Sequence, residues 1–395
     1  MKKLLLAASA AALTAGAAHA ESHGSEAKIG VILGFTGPIE SITPMMGDSA
    51  ELAMKEVNES GKFLDGVMLA PVRADSTCVD AAAATAAAER LVTSEGVVAI
   101  MGADCSGVTG AVLANVAVPN GVPMVSPSAT SPGLSTAEDN GLFFRTAPSD
   151  ARQGAVLAEI LKEKGISSVA VTYTNNDYGK GFADAFAANF DGTITLSAPH
   201  DDGKADYSAE IGALASAGGD ALVVLGYSDQ GGKGMIQASY DTGAFDTYVL
   251  GDGMYSDGLF SELSDALEGS IGTIAWAEGE GADMFAKITE GAGFDASSSY
   301  TRESYDAAAL IALAMMKGGA ATGEAVAANL LDVANAPGEP ILPGELGKAF
   351  EILASGGDVD YVGASGVELI GPGEAAGTYR YYDVKGGKAE TVAFK

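Results

Sequence analysis

Histidine is nearly absent from this sequence, with three in 395 residues. His19 and His23 sit near the N-terminus, which leaves His200 alone in the body of the chain. A histidine-built zinc site and a Ser-His-Asp relay therefore both lack material. Basic residues are also scarce: 22 Lys and Arg stand against 52 Asp and Glu, a formal net charge of −30. Such a surface repels nucleic acid and anionic lipid, so neither is an expected partner. The acids are spread along the chain rather than gathered in a tail, and solubility in a saline medium accounts for them.

Catalytic signatures are missing too. No Gly-x-Ser-x-Gly elbow occurs. The run Gly231-Gly-Lys-Gly234 looks like a phosphate loop, but Tyr227 stands where its first glycine belongs and Gly234 where Ser or Thr would hold magnesium. The acidic stretch Asp201 to Asp206 lacks calcium-loop spacing and reads as a solvated turn. The expectation is a protein that is not an enzyme, with no metal and no cofactor.

The N-terminus carries a positive signal. Met1-Lys-Lys3 precedes an uncharged apolar stretch, Leu4 to Gly16, and Ala18-His-Ala20 has the small-x-small form of a cleavage site. This predicts a secretory leader, residues 1–20, cut after Ala20; its apolar part is too short to span a bilayer. Glu21, not cysteine, follows the cut, so no lipid attachment is expected. No later run is long and apolar enough to hold the product in a membrane. Export places Cys78 and Cys105, the only cysteines, in an oxidising compartment, where a pair normally closes a disulfide.

Downstream the pattern alternates. Buried-strand runs at Ile29–Leu33, Val67–Val72, Val97–Met101 and Val122–Val125 are separated by helical spacing over Asp48–Asn58 and Val79–Leu91. The alanine run Ala81 to Ala88 reads as a helix packed closely on a sheet. After a short strand at Phe143–Thr146 the pattern restarts. Strands at 169–173, 193–196, 221–225, 248–250 and 271–276 alternate with helices at 153–164, 181–190, 208–217 and 235–240. A long helix covers Tyr300–Met316, and a hairpin turns at Gly386-Gly387. The fold class is α/β, with two doubly wound parallel-sheet blocks; 395 residues suit two lobes better than one core. Loops at the strand C-termini are rich in small hydroxyl residues, tyrosine or acid, where open α/β sheets bind ligands.

In order and spacing, several motifs match a known family. They are Gly34-Phe-Thr-Gly-Pro38, Asp75-Ser-Thr-Cys78, Gly102-Ala-Asp-Cys105-Ser106, Pro127-Ser-Ala-Thr130-Ser-Pro-Gly-Leu134, Phe144-Arg-Thr146, Asp177-Tyr-Gly-Lys-Gly181 and Tyr305-Asp-Ala-Ala-Ala309. From about Lys28 onward the chain resembles the periplasmic solute-binding proteins of branched-chain amino acid ABC importers, the leucine/isoleucine/valine type. The resemblance implies a type I periplasmic binding fold: two Rossmann-like lobes joined by three crossover strands near Thr146, Ala275 and Thr378. Lobe 1 would then be residues 28–146 with 276–377, and lobe 2 residues 147–275 with 378–395.

The resemblance further implies a monomer that clamps a small ligand by hinge closure and hands it to an inner-membrane permease and its ATPases. Ser106 would hold a ligand carboxylate. Thr130, with the Ser128 and Ala129 backbone, would grip carboxylate and ammonium; Tyr178 and Tyr227 would close from the other lobe; Asp252 would pair with the ammonium. Donors at one end and a carboxylate at the other suit a zwitterionic α-amino acid. Two features broaden the ligand class. Loop Ile39–Met46 is longer and more apolar than the family pattern, and residues 336–366 resemble members that bind amides or aromatic and aliphatic carboxylates. A sensor subunit on the same fold is the other alternative.

Overall fold

The computed structural model describes residues 26–395. The leader and its cut after Ala20 lie outside the described residues. The first sheet begins with β1 (Glu26–Leu33), β2 (Met68–Asp75), β3 (Ala99–Gly102), β4 (Met124–Ser126) and β5 (Phe143–Arg145). All of these pair in parallel. The second sheet holds β6 (Ser168–Thr174), β7 (Thr193–His200), β8 (Ala221–Leu225), β9 (Tyr248–Leu250) and β10 (Ile271–Ala275).

Later in the chain come β11 (Glu339–Ile341) and β12 (Val359–Tyr361), a two-stranded ribbon, followed by β13 (Leu369–Ile370), β14 (Glu374–Ala375), β15 (Tyr379–Lys385) and β16 (Lys388–Phe394). The first sheet runs β13-β14-β5-β4-β3-β1-β2 and the second β16-β15-β10-β9-β8-β6-β7. The chain therefore passes to the second sheet after β5, returns after β10, and passes over again between β14 and β15. β3, β4 and β8 are buried on both faces, as parallel strands covered by helices must be, and so read as continuous apolar runs.

Helices start earlier than periodicity predicts, because their first turns are polar. The helix expected from Gln153 begins at Asp150, where the Ser149 side chain accepts from Ala151 N–H. The helix expected from Gly181 begins at Asp177, where Asn176 accepts from Gly179 N–H. The alanine run forms the helix Ala81–Arg90 with Ala84 and Ala88 buried and Asp80 as its cap. Gly154 has a packing role: a Cβ there would stand 2.7 Å from Phe186 N, so glycine lets two helices touch. Helices Glu280–Ala292, Gly323–Ala334 and Leu346–Ala354 are not anticipated from the sequence. No single described helix is long and apolar enough to cross a membrane.

Cys78 and Cys105 are bonded, with Cα atoms 5.1 Å apart. The bridge ties the loop after β2 to the loop after β3, at the ends of the strands that flank β1.

Candidate functional site

The parallel strands β1 to β5 and β6 to β10 point their C-terminal ends at one chamber, the position where open α/β sheets present loop N–H groups and side chains to ligands. From the first sheet come Ile39, Ile42 and Met46 after β1, Asp104, Cys105 and Ser106 after β3, and Ser128 after β4. From the second come Tyr178 after β6, Tyr227 after β8, and Asp252 and Gly253 after β9. Tyr300, which precedes the helix Thr301–Gly318, completes the wall. The free room inside is about 30 Å³, enough for about two waters at roughly 10–15 Å³ each. A molecule of amino-acid size enters only when the two sides part and the lining side chains spread.

Asp252 is the charged focus. Its carboxylate is buried, with Oδ1 accepting from Tyr178 Oη at 2.7 Å and Oδ2 accepting from Tyr300 Oη. Burial raises its pKa, and the two phenol bonds partly offset that rise. Tyr178 Oη also accepts from Gly253 N–H at 3.1 Å, and the ring stacks on Tyr227 with centroids 5.2 Å apart. Tyr227 Oη accepts from Asn176 Nδ2 at 3.3 Å. Burial, and the carboxylate facing it, push the Tyr178 phenol well up, so it stays a donor.

The opposite wall is built by side chain-to-backbone bonds. Ser126 Oγ donates to Ala103 O and accepts from Ala129 N–H at 3.0 Å. Ser128 Oγ donates to Asp104 O at 3.1 Å, and Ser106 Oγ accepts from Ser131 N–H at 3.0 Å. Asp104 gathers three loops, accepting from Gly34 N–H at 2.6 Å and Ser76 Oγ at 2.8 Å; burial raises its pKa.

Five residues expected at a ligand site, Ser106, Ser128, Tyr178, Tyr227 and Asp252, line the chamber together. Ala129 and Thr130 lie fully buried just behind this wall rather than on it. Thr130 Oγ1 is buried without a hydrogen-bond partner among the described residues, as are both carboxylate oxygens of Asp150. The two residues are joined by Asp150 N–H donating to Thr130 O at 2.9 Å. Burial first, then the neighbouring Asp252 charge, hold the Asp150 carboxyl well above the ordinary range.

Sequence reasoning missed Asp150, Tyr300 and the apolar trio of Ile39, Ile42 and Met46. The unusual apolar loop was the available signal for the trio. Tyr300 announces itself only in the backbone, at φ +57°, a region a bulky residue occupies when its surroundings hold it there. Among the described residues, no lysine or arginine lines the chamber.

Polar contacts hold the two sides together around it. Ser41 N–H and Oγ each donate to the Asp229 carboxylate at 2.8 Å, and Asp229 N–H donates to Pro38 O at 3.0 Å. Ser131 Oγ donates to Asp177 O at 3.0 Å. The glycines at 231–234 open the helix Gly231–Thr242, and Gly231 N–H donates to Asp202 Oδ1 at 3.0 Å. The protein's own carboxylate thus occupies the place a phosphate would need.

Two sheets with a closed chamber between their strand ends, crossed three times by the chain, is the geometry of a clamp. The profile of the periplasmic binding protein family matches residues 26–346. The chain belongs to that family. Among its relatives, the chemotactic signal transduction system substrate-binding protein BasB of Halobacterium salinarum is 28% identical over 360 residues, 87% of this chain and 83% of that protein. The Leu/Ile/Val-binding protein BraC3 of Rhizobium johnstonii is 30% identical over 271 residues, 67% of this chain and 72% of that one.

Among solved structures, a leucine-binding protein of Thermotoga maritima superposes with a TM-score of 0.78 at 24% identity, covering 93% of this chain and 98% of that one. A solute-binding protein of R. palustris in complex with 4-hydroxybenzoate gives 0.75 at 18% identity, covering 94% and 97%. These structural likenesses establish the type I periplasmic binding fold. The family is one of solute-binding proteins.

Proposed function

We propose that this chain is exported to the periplasm, its leader cut after Ala20, and captures an aliphatic α-amino acid in the interlobe chamber for delivery to an ABC permease and its ATPases. It acts as a monomer and catalyses no reaction. Lobe 1 is residues 28–146 with 276–377 and lobe 2 is residues 147–275 with 378–395, hinged at the three crossings. The observation that carries the reading is Asp252: a buried carboxylate in a chamber without a lysine or arginine fits an ammonium group. The hydroxyls and backbone N–H groups around Ser106 and Ser128, with Thr130 behind them, take the ligand carboxylate. Ile39, Ile42 and Met46 accept a branched aliphatic side chain.

The stacked Tyr178–Tyr227 pair favours one second reading, an aromatic acid lying against the rings. A thermal-shift screen of leucine, isoleucine, valine, acetamide and 4-hydroxybenzoate separates the two. The true ligand at 100 times its Kd adds about 2.7 kcal/mol of stability. Stabilisation by the branched amino acids supports the main reading. A shift with 4-hydroxybenzoate alone rejects it in favour of the second.

A further inference from the structure

The motif Phe144-Arg-Thr146 carries a buried charge that does not reach the chamber. Arg145, in β5, is 1% exposed, the most deeply buried basic residue among those described. Its one ion pair among the described residues is with Glu374 of β14, its direct neighbour in the sheet. A guanidinium this deep is costly unless its donors are taken up. Most of them go to one loop. Nη1 donates to Ala129 O and to Ser131 O, both at 2.9 Å, and Nη2 donates to Ser135 Oγ at 2.6 Å and to Glu374. That loop stands directly behind the chamber wall.

The two carbonyls bracket Thr130, and the backbone around it can be followed group by group. Ala129 N–H donates to Ser126 Oγ at 3.0 Å. Thr130 O accepts from Asp150 N–H at 2.9 Å. Ser131 N–H donates to Ser106 Oγ at 3.0 Å. With Ala129 O and Ser131 O on Arg145, Thr130 N–H is the one backbone group of residues 129–131 bonded to nothing among the described residues. Thr130 Oγ1 is likewise buried without a partner. The peptide between Ala129 and Thr130 is trans, and a trans peptide sets N–H and C=O in opposite directions. Holding Ala129 O on Arg145 therefore turns Thr130 N–H away from the guanidinium. Ser106, on the chamber wall, accepts from Ser131 N–H but donates to no group among the described residues, so its proton stays available.

Three donors thus have no protein acceptor: Ser106 O–H, Thr130 N–H and Thr130 O–H. We infer that Arg145 is a positioning residue for the carboxylate end of the ligand. It holds the carbonyls of Ala129 and Ser131 so that these donors stay free, and its charge strengthens them through the bonded peptides, without touching the ligand. Chains of hydrogen bonds polarise one another, and donors fixed in advance bind an anion without reorganising. Arg145 has this role only if, as proposed above, the ligand presents a carboxylate to the chamber. A wall lined by no basic residue among those described then still favours an anion, because the positive charge acts from behind it.

Calorimetry of the full mature chain with leucine, and with leucinamide, which lacks the carboxylate, tests the role. In R145Q leucine affinity is expected to fall by about tenfold to a hundredfold, the range for hydrogen bonds to a charged group, and leucinamide affinity by about threefold or less. A purely structural loss weakens both ligands alike, so an equal fall overturns the inference. Should R145Q fail to fold, E374Q decides. It keeps the guanidinium on Ala129 O and Ser131 O but removes the neutralising charge, and the advantage of leucine over leucinamide should grow by about threefold. An advantage that shrinks or stays the same in E374Q overturns the inference. If the parent binds 4-hydroxybenzoate and not leucine, the amino acid reading fails while Arg145 is still tested, by 4-hydroxybenzoate against 4-hydroxybenzamide in the same variants. A parent that binds neither carboxylate overturns both.

Discussion

Tyr300 donates a hydrogen bond to Asp252 across the interlobe chamber, so the residue that closes the wall from one side is fastened to a buried carboxylate on the other. Tyr178 holds the second oxygen of the same carboxylate at 2.7 Å. Asp150 adds a further buried carboxyl behind Thr130, and both carboxyls have raised pKa values, first because burial disfavours the charged form.

Proton release on binding follows from that arrangement. Raised carboxyl pKa values mean that the ligand-free pair holds a proton to higher pH than usual, whereas an ammonium group favours the ionised form. Amino acid affinity should therefore rise with pH through the acidic range. Calorimetry across the acidic range in two buffers of different ionisation enthalpy should show net proton release, reduced in Asp150→Asn. Identical heats in the two buffers would contradict this.

Closure has a polar latch. Ser41 gives Asp229 two hydrogen bonds of 2.8 Å between the two sides. Ser41→Ala removes the hydroxyl bond and keeps the backbone one. The loss should be about 1–3 kcal/mol, the scale of a hydrogen bond to a charged group, and should appear as faster ligand dissociation in stopped-flow experiments. Unchanged dissociation would assign no closing role to the contact.

The Cys78–Cys105 bridge closes a separation of 27 residues. In the chain-entropy account this contributes about 3–4 kcal/mol. Denaturant unfolding of reduced and alkylated protein should show a loss of that size. Two titratable thiols in unreduced, denatured periplasmic material would show that the bridge does not form in the cell.

Glu303 supplies a pH-dependent term. Its carboxyl is 5% exposed, and burial pushes it up from 4.5 to about 7. A proton held more tightly in the folded than in the unfolded chain stabilises the fold while it is bound. That contribution is complete below pH 4.5 and disappears as pH rises through about 7. The gap corresponds to on the order of 3 kcal/mol. Glu303→Gln should be more stable than the parent at pH above this window and should lose that part of the slope in urea melts. A variant that tracks the parent at every pH would assign the slope to other groups.

The sheets were legible because parallel strands buried on both faces leave uninterrupted apolar runs, as Ala221–Leu225 and Tyr248–Leu250 do. Helix starts were not, since the capping turns at Ser149 and Asn176 are polar and contribute nothing to apolar periodicity. The disulfide followed from export and a cysteine count of two. The chamber was only half legible. Loop residues such as Ser106, Tyr178 and Asp252 stand in recognisable motifs. Tyr300 is brought in from nearly fifty residues beyond Asp252, and Asp150 looks like an ordinary first-turn helix acid until its burial beside Asp252 is known. Ile39, Ile42 and Met46 form a wall only once the loop folds over the strand ends.

Calorimetry of leucine and of 4-hydroxybenzoate against the parent protein and Asp252→Asn tests the central claim most directly. The substitution keeps shape and hydrogen bonding but removes the charge that an ammonium needs. The account predicts saturable leucine binding that weakens by about 2–5 kcal/mol in the variant, because a buried ammonium is left unpaired, and no saturable binding of 4-hydroxybenzoate. Leucine affinity that is unchanged in Asp252→Asn, or 4-hydroxybenzoate binding that improves once the carboxylate is gone, would contradict it.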